Sequence, residues 1–152
     1  MVRAAIVLAL CMPFTAATGA SALLLEKAIG SAYGLPENIV STRCVIYDSG
    51  RMKITYQTAG LSSTREIALT LNASDLKAVI NDAASGEISE EVYPADVPSE
   101  IYTAYQRRGK VPVLLLELKS DSGRKRVNKA QSATRLRNFM DVNCGIALPA
   151  PK

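Results

Sequence analysis

The 152-residue chain contains no histidine and no tryptophan, and it has only two phenylalanines. Without histidine, the side chain that most often acts as a general base near neutral pH is missing. The sequence Gly-x-Ser-x-Gly does not occur either, so the motif that presents an activated serine in many hydrolases is absent. The composition therefore argues against nucleophilic catalysis, and it indicates neither a cofactor nor a metal.

The first 22 residues have the three parts of a secretory signal peptide. Arg3 supplies a positive charge, residues 4–14 form an apolar run, and Ala20-Ser21-Ala22 closes the segment with small residues. We predict that residues 1–22 are cleaved, that the protein is secreted or periplasmic, and that it meets the membrane only transiently during export. The alternative is an uncleaved anchor, but Pro13 and several polar residues keep the apolar part shorter than the roughly 20 residues of a span.

Cleavage would remove Cys11 and leave two cysteines, Cys44 and Cys144, which lie 100 positions apart. An even pair of thiols in an oxidising compartment predicts a disulfide, here between the first predicted strand and the last predicted helix. In the chain-entropy model, closing a loop of about 100 residues stabilises the folded state by roughly 4.7 kcal/mol. The alternative is two free thiols, one of them nucleophilic, but no histidine is present to activate a thiolate.

The formal net charge is small, at +4, but the charged residues are distributed unevenly along the chain. Residues 82–100 contain six acids and no base, whereas bases predominate in residues 107–137. If the fold separates these segments, the molecule is electrostatically two-sided. Nucleic acid is not an expected partner, because the basic half has few aromatic side chains on which bases could stack. The predicted secondary basic face consists of Arg124, Lys125, Arg126 and Lys129.

The first half of the chain contains a clear hairpin pattern. Residues 42–47 and 52–58 are rich in β-branched and aromatic side chains, and an Asp-Ser-Gly tripeptide between them is typical of a tight turn. Residues 64–71 alternate between apolar and polar side chains, which predicts a third antiparallel strand. We expect a helix to follow, capped by Asn72 and ended by Gly86.

The second half begins with residues 86–99, which contain two prolines and show no periodicity. A short helix is expected to follow as far as Gly109. The apolar residues 111–118 predict a central strand covered on both faces. Residues 125–128 predict a return strand, and residues 129–143 predict a final amphipathic helix.

The summed order is βββα followed by ββα. It predicts an α+β fold in which an antiparallel sheet of about five strands carries its helices on one face and is closed by one disulfide. A single domain is expected over residues 42–146, preceded by an N-terminal arm at residues 23–41 that forms a loose segment or one short helix. Residues 147–152 are expected to form a frayed tail.

Export without catalytic residues favours binding as the function. The acidic segment that carries three tyrosines is the expected contact surface, because long irregular connections are usually functional and tyrosine rings contribute strongly to interfaces. We predict a non-catalytic domain that docks onto a protein partner, of the inhibitor, immunity-factor or envelope-adaptor type. The predicted partner-binding residues are Glu90, Glu91, Tyr93, Asp96, Tyr102 and Tyr105.

Three alternatives stay open. Glu90, Glu91 and Asp96 could act as acid and base in a small carbohydrate-active hydrolase, although the sequence does not predict the desolvation that would separate their pKa values. The chain could be a structural envelope protein that keeps its leader as an anchor. The tyrosines could instead cover an edge of the sheet, with the prolines stiffening a connection.

Overall fold

The computed structural model describes residues 20–30, 41–58, 60–93, 98–119 and 122–145. Asp96 and the predicted tail at residues 147–152 lie outside these ranges. Residues 1–19 of the predicted signal peptide and residues 31–40 of the predicted arm also lie outside them. The described residues form eight strands and two helices.

The strands form one antiparallel sheet in the order β4-β3-β2-β1-β6-β7-β8-β5. In chain order they are β1 (Leu23–Gly30), β2 (Ser41–Tyr47), β3 (Arg51–Thr58), β4 (Leu61–Ala68), β5 (Ile88–Val92), β6 (Ser99–Gln106), β7 (Val111–Lys119) and β8 (Arg124–Asn128). The helices are α1 (Ala73–Ala83), between β4 and β5, and α2 (Gln131–Cys144), after β8. The two edges of the sheet are therefore β4 and β5.

The prediction of an α+β fold with about five strands is wrong, because the described residues are mostly sheet and three further segments complete eight strands. The first of these segments is β1, where we expected a loose arm or a short helix. It lies inside the sheet, between β2 and β6. Leu24 and Leu25 are consecutive yet both buried, because the register shifts between Leu23 and Leu25. This irregularity hides the alternation that identifies a strand in a sequence.

The second additional strand is β6, where we expected a short helix. Tyr102 and Ala104 are buried at a spacing of two, whereas Ile101, which also fitted the helical spacing, is only half-buried. The third is β5, a five-residue strand within the segment expected to be irregular. Among the described strands it pairs with β8 alone, and its consecutive glutamates are poor strand formers, so its sequence carries little strand signal.

The helix predicted after Asn72 is present as α1, and the Asn72 side chain caps it by accepting a hydrogen bond from the N–H of Asp75. Gly86 does not end the helix as predicted, since the C-terminal cap is Ala84 in a right-handed conformation. A Cβ at position 86 would lie 2.0 Å from Oδ1 of Asn128. Close packing against β8 therefore explains the glycine.

Asn128 is a buried polar residue at this junction, and it is 2% exposed. Its Nδ2 donates to the carbonyl oxygens of Ala83 at 2.8 Å and Leu114 at 3.0 Å, and its Oδ1 accepts from the N–H of Ala130 at 3.0 Å. The donors and the acceptor of the amide are all used, as burial requires. The side chain thereby links α1, β7 and the start of α2.

Both helices pack on one face of the sheet and against each other. The large buried side chains of this core are Leu25, Ile46, Met52, Ile54 and Leu115 from the strands and Ile80, Leu136 and Met140 from the helices. The predicted disulfide between Cys44 and Cys144 is confirmed, with a Cα–Cα distance of 5.9 Å. It attaches the last residue of α2 to β2.

Candidate functional site

The acidic and basic segments identified in the sequence lie next to each other, because β5 pairs with β8. The Nε and Nη2 atoms of Arg124 donate to the two carboxylate oxygens of Glu90 at 2.9 and 2.7 Å. The Nζ atoms of Lys125 and Lys129 each lie 3.0 Å from a carboxylate oxygen of Glu91. We call these five residues the β5–β8 ladder. The fold does not separate the two charges, so the expected two-sided molecule is not formed here.

The ladder also divides between the two faces of the sheet. Glu90 and Glu91 are consecutive strand residues, so their side chains project in opposite directions. Arg126 forms an ion pair with Glu117, in which its Nη1 lies 3.2 Å from Oε2 of the carboxylate. The predicted basic face therefore consists of cations that already contact carboxylates. Hydrogen bonds from Arg124 lower the pKa of Glu90, and those from two lysines lower the pKa of Glu91.

The three predicted tyrosines lie in different environments. Tyr102 is 4% exposed and belongs to the core. Tyr105 is half-buried, and its hydroxyl donates to Oε2 of Glu26 at 2.6 Å; burial and this carboxylate raise the pKa of Tyr105 to about 12. Tyr93 packs against the core as a partly buried side chain. The structure does not bring these rings together on one surface.

A second cluster, which the sequence did not predict, surrounds Tyr102. Its hydroxyl lies 2.7 Å from Oε1 of Glu100 and 2.6 Å from Oδ1 of Asp141. The Nζ of Lys27 contacts the same two oxygens, at 3.2 and 2.7 Å, and lies 4.8 Å from the centre of the Tyr102 ring. We call these four residues the α2 joint, because they connect α2 to β1 and β6. The disulfide lies close by, since Lys27 is the register partner of Cys44.

The α2 joint is an internally paired cluster. Burial raises the pKa of Asp141, but hydrogen bonds from Lys27 and Tyr102 outweigh it and hold that pKa below its usual value. Burial and the two carboxylates raise the pKa of Tyr102. Glu100 and Tyr102 are two residues apart on β6, a spacing that places them on one face once the segment is known to be a strand. No local pattern predicts that Asp141, from α2, joins them.

Two serines, Ser74 and Ser122, stand three residues before a lysine, a spacing used by some serine hydrolases. In the first pair, the Lys77 amine lies 3.4 Å from Oδ2 of Asp48, and the Ser74 hydroxyl donates to Oδ1 of Asn72 at 2.7 Å. In the second pair, the lysine is Lys125, which contacts Glu91 in the β5–β8 ladder. Both lysine amines thus contact carboxylates, and within the described ranges neither serine is hydrogen-bonded to its lysine.

The edge at β4 offers unpaired backbone groups. The N–H of Leu69 donates to the carbonyl oxygen of Gly50 at 2.8 Å, so the odd-numbered residues direct their backbone groups toward β3. The even-numbered residues from Ser62 to Ala68 therefore direct their N–H and C=O groups away from the sheet. Among the described residues, no strand pairs with that side. Leu61, at the beginning of the strand, is 62% exposed.

No protein-family model, curated protein or solved structure matches the chain. Within the described ranges, no three or more His, Cys, Asp or Glu side chains are grouped so that they could hold a metal ion. The helices of the described part are too short or too polar to cross a membrane.

Proposed function

We propose that the protein is a non-catalytic binding domain outside the cytoplasm, and that it docks onto a protein partner through β4, an edge strand of the described sheet. The observation that carries this proposal is the row of outward-facing N–H and C=O groups between Ser62 and Ala68. An extended segment of a partner can bond to such a row and continue the sheet. The proposal covers an inhibitor, an immunity factor or an envelope adaptor.

The other edge is less suited to this role. Strand β5 has five residues, and its consecutive glutamates are held by the cations of β8. Charged side chains and short length are the usual means by which proteins prevent strand addition at an edge. Strand β4 has eight residues, and its first four, Leu61 to Thr64, carry no charge. The difference favours β4 as the docking edge.

The side chains of β4 define the partner that fits best. Arg65 and Glu66 are consecutive, so they project from opposite faces. An antiparallel partner strand would complement them with a base opposite Glu66 and an acid, one position later, opposite Arg65. Four positions beyond the acid, an apolar side chain would lie opposite Leu61. The partner segment is therefore an extended strand with a base, an acid, three intervening residues and an apolar residue.

The β5 carboxylates support binding rather than hydrolysis. A carboxyl group that acts as a general acid near neutral pH needs a raised pKa. The pKa values of Glu90 and Glu91 are instead lowered by the cations beside them. Because their side chains project from opposite faces of β5, they are not arranged to flank one glycosidic bond. These contacts count against the small carbohydrate-active hydrolase.

Location outside the cytoplasm is proposed from the signal-peptide pattern, and the Cys44–Cys144 disulfide is compatible with it. Intact-mass analysis of the native protein tests this part, because a structural envelope protein would keep its leader. Ala22, the last residue of the predicted leader, forms two hydrogen bonds with Asp48 in the full chain. Its N–H donates to Oδ1 of Asp48 at 2.8 Å, and its carbonyl oxygen accepts from the N–H of Asp48 at 2.9 Å. We expect loss of the leader, whereas a mass that includes Met1 would contradict export with cleavage.

A synthetic peptide, Thr-Lys-Glu-Thr-Val-Thr-Leu-Thr, carries the base, acid and apolar residue at the required spacing. We expect it to bind the oxidised protein, as measured by fluorescence anisotropy of the labelled peptide. The Thr64→Pro variant should lose binding, because proline removes an outward-facing N–H that has no partner in the sheet. Thr64→Ala is the matched control, since it shortens the same side chain but keeps the N–H.

Both variants should melt close to the parent temperature, since the N–H at position 64 does not bond to β3. Exchanging the lysine and glutamate of the peptide should weaken binding, because each charge would then face a like charge. Equal binding by Thr64→Pro and Thr64→Ala would reject the β4 edge as the docking site. Dimerisation that Thr64→Pro abolishes, without peptide binding, would identify a second copy of the chain as the occupant and overturn the proposal.

A further inference from the structure

A cavity of about 220 Å³ lies between α1 and the turn that joins β6 to β7, away from the β4 edge. Leu24 and Ile80, both 1% exposed, contribute apolar surface to it. Gln106 and Asn81 also line the cavity, and the Nε2 of Gln106 donates to the Oδ1 of Asn81 at 2.8 Å. This hydrogen bond connects the strand side of the cavity to the helix side.

The charged residues that line the cavity are all cationic: Lys77, Arg107 and Arg108. No carboxylate belongs to the described lining. Within the described ranges, the carboxylate in contact with these cations is that of Asp48, whose Oδ2 lies 3.4 Å from the Nζ of Lys77. Among the described residues, Arg107 and Arg108 form no ion pair. The cavity therefore has an uncompensated positive charge.

The backbone of the same turn is unusual. Arg107 and Arg108 have φ angles of 48° and 57°, and within the described ranges they are the non-glycine residues with positive φ. This left-handed conformation disfavours residues with a Cβ, and tight hairpins usually use asparagine or glycine there. Two arginines at these positions are thus a poor choice for the turn itself. Their charge at the cavity provides a reason for their presence.

We propose that this cavity binds a phosphate group, carried either by a small organic ester or by a lipid headgroup. Guanidinium groups bind phosphate through paired, charge-assisted hydrogen bonds, and an ammonium group adds a point charge. A phosphate ester carries nearly two negative charges at neutral pH, which matches three cations better than a single carboxylate does. The apolar surface of Leu24 and Ile80 accommodates the carbon part that adjoins the phosphate.

Phenyl phosphate serves as the small probe, in calorimetric titration of the oxidised full chain at physiological ionic strength. Phosphatidylcholine vesicles with and without phosphatidic acid serve as the lipid probe, in a co-sedimentation assay. Binding of phenyl phosphate alone supports the proposal with a small ester as the source. Binding that requires phosphatidic acid supports it with a lipid headgroup as the source. Failure of both probes to bind overturns it.

The informative variant is Arg107→Asn combined with Arg108→Gly. It removes both guanidinium groups and introduces residues that adopt positive φ more readily, so the melting temperature should stay equal or rise. Binding of the effective probe should weaken at least tenfold. The control variant, Lys53→Gln with Lys110→Gln, loses the same charge at positions that do not line the cavity. Equal weakening in both variants would indicate general charge attraction and would reject the site.

Discussion

The α2 joint and the β5–β8 ladder both bring carboxylates together with cations, but in different surroundings. In the joint, the side chains of Lys27 and Glu100 are 12% and 25% exposed. In the ladder, those of Arg124 and Glu90 are 55% and 53% exposed. The joint also lies beside a covalent bond, whereas the ladder stands at the edge of the sheet.

From this difference we expect the two sets of ion pairs to contribute unequally to the stability of the fold. Water screens the ladder, so its pairs contribute little to stability, and their charge instead discourages further strands from adding to β5. In the joint, the Lys27 side chain is largely withdrawn from water although Asp141 is half exposed, so removing a carboxylate leaves the Lys27 charge poorly solvated. We therefore expect the joint, with the disulfide beside it, to hold α2 on the sheet.

Removal of the disulfide should have the largest effect. We expect the double variant Cys44→Ser with Cys144→Ser to lose about 4 kcal/mol of unfolding free energy, because the unfolded chain is no longer closed into a loop of about 100 residues. Urea unfolding of the variant and of the oxidised parent measures the difference. Chemical reduction of the parent is the control and should give a similar loss. A loss below about 1 kcal/mol would mean that the noncovalent contacts suffice to hold α2.

Protonation of Asp141 should have an intermediate effect. Its folded pKa lies below the unfolded value, so the stabilisation is present above about pH 4 and is lost as the pH falls through the folded pKa. We expect Asp141→Asn to unfold about 1 kcal/mol more easily at neutral pH, because the side chain is half exposed and loses a charge-assisted contact rather than a fully buried one.

Urea unfolding between pH 2 and 7 measures this dependence. Other carboxylates with lowered pKa values remain in both proteins, so the difference between the two curves isolates position 141. That difference should shrink as the pH falls below about 4, because the unfolded carboxyl is protonated first and the folded carboxyl follows only at its lowered pKa. Curves that stay parallel throughout would show that the ionised form of Asp141 does not stabilise the joint.

Local features of the fold followed from the sequence because local chemistry determines them. Asn72 caps a helix through an atom only three residues away, and the turn between β2 and β3 needs only its own residues. The disulfide was predicted because two cysteines follow the predicted leader. Strands β1, β5 and β6 could not be identified in this way, because the extended conformation of these segments depends on pairing with neighbouring strands of the sheet.

The contacts of the candidate sites were unpredictable for a related reason. Glu90 and Arg124 are 34 positions apart, and their pairing follows only from the position of β5 beside β8. Without that topology, an acidic strand resembles an exposed loop. The docking edge at β4 also depends on strand order, since the sequence predicted a strand there but not that it lies last in the sheet.

Neutralising the ladder should have the smallest effect on stability. In the variant Glu90→Gln with Glu91→Gln, exposed hydrogen bonds are weakened but no buried charge is left behind, so the melting temperature should remain within error of the parent. Scanning calorimetry at low and high salt measures this, and Arg124→Gln tests the same contact from the cationic side. A loss as large as that of Asp141→Asn would show that exposure does not distinguish the two clusters. The ladder would then stabilise the sheet as well as protect its edge.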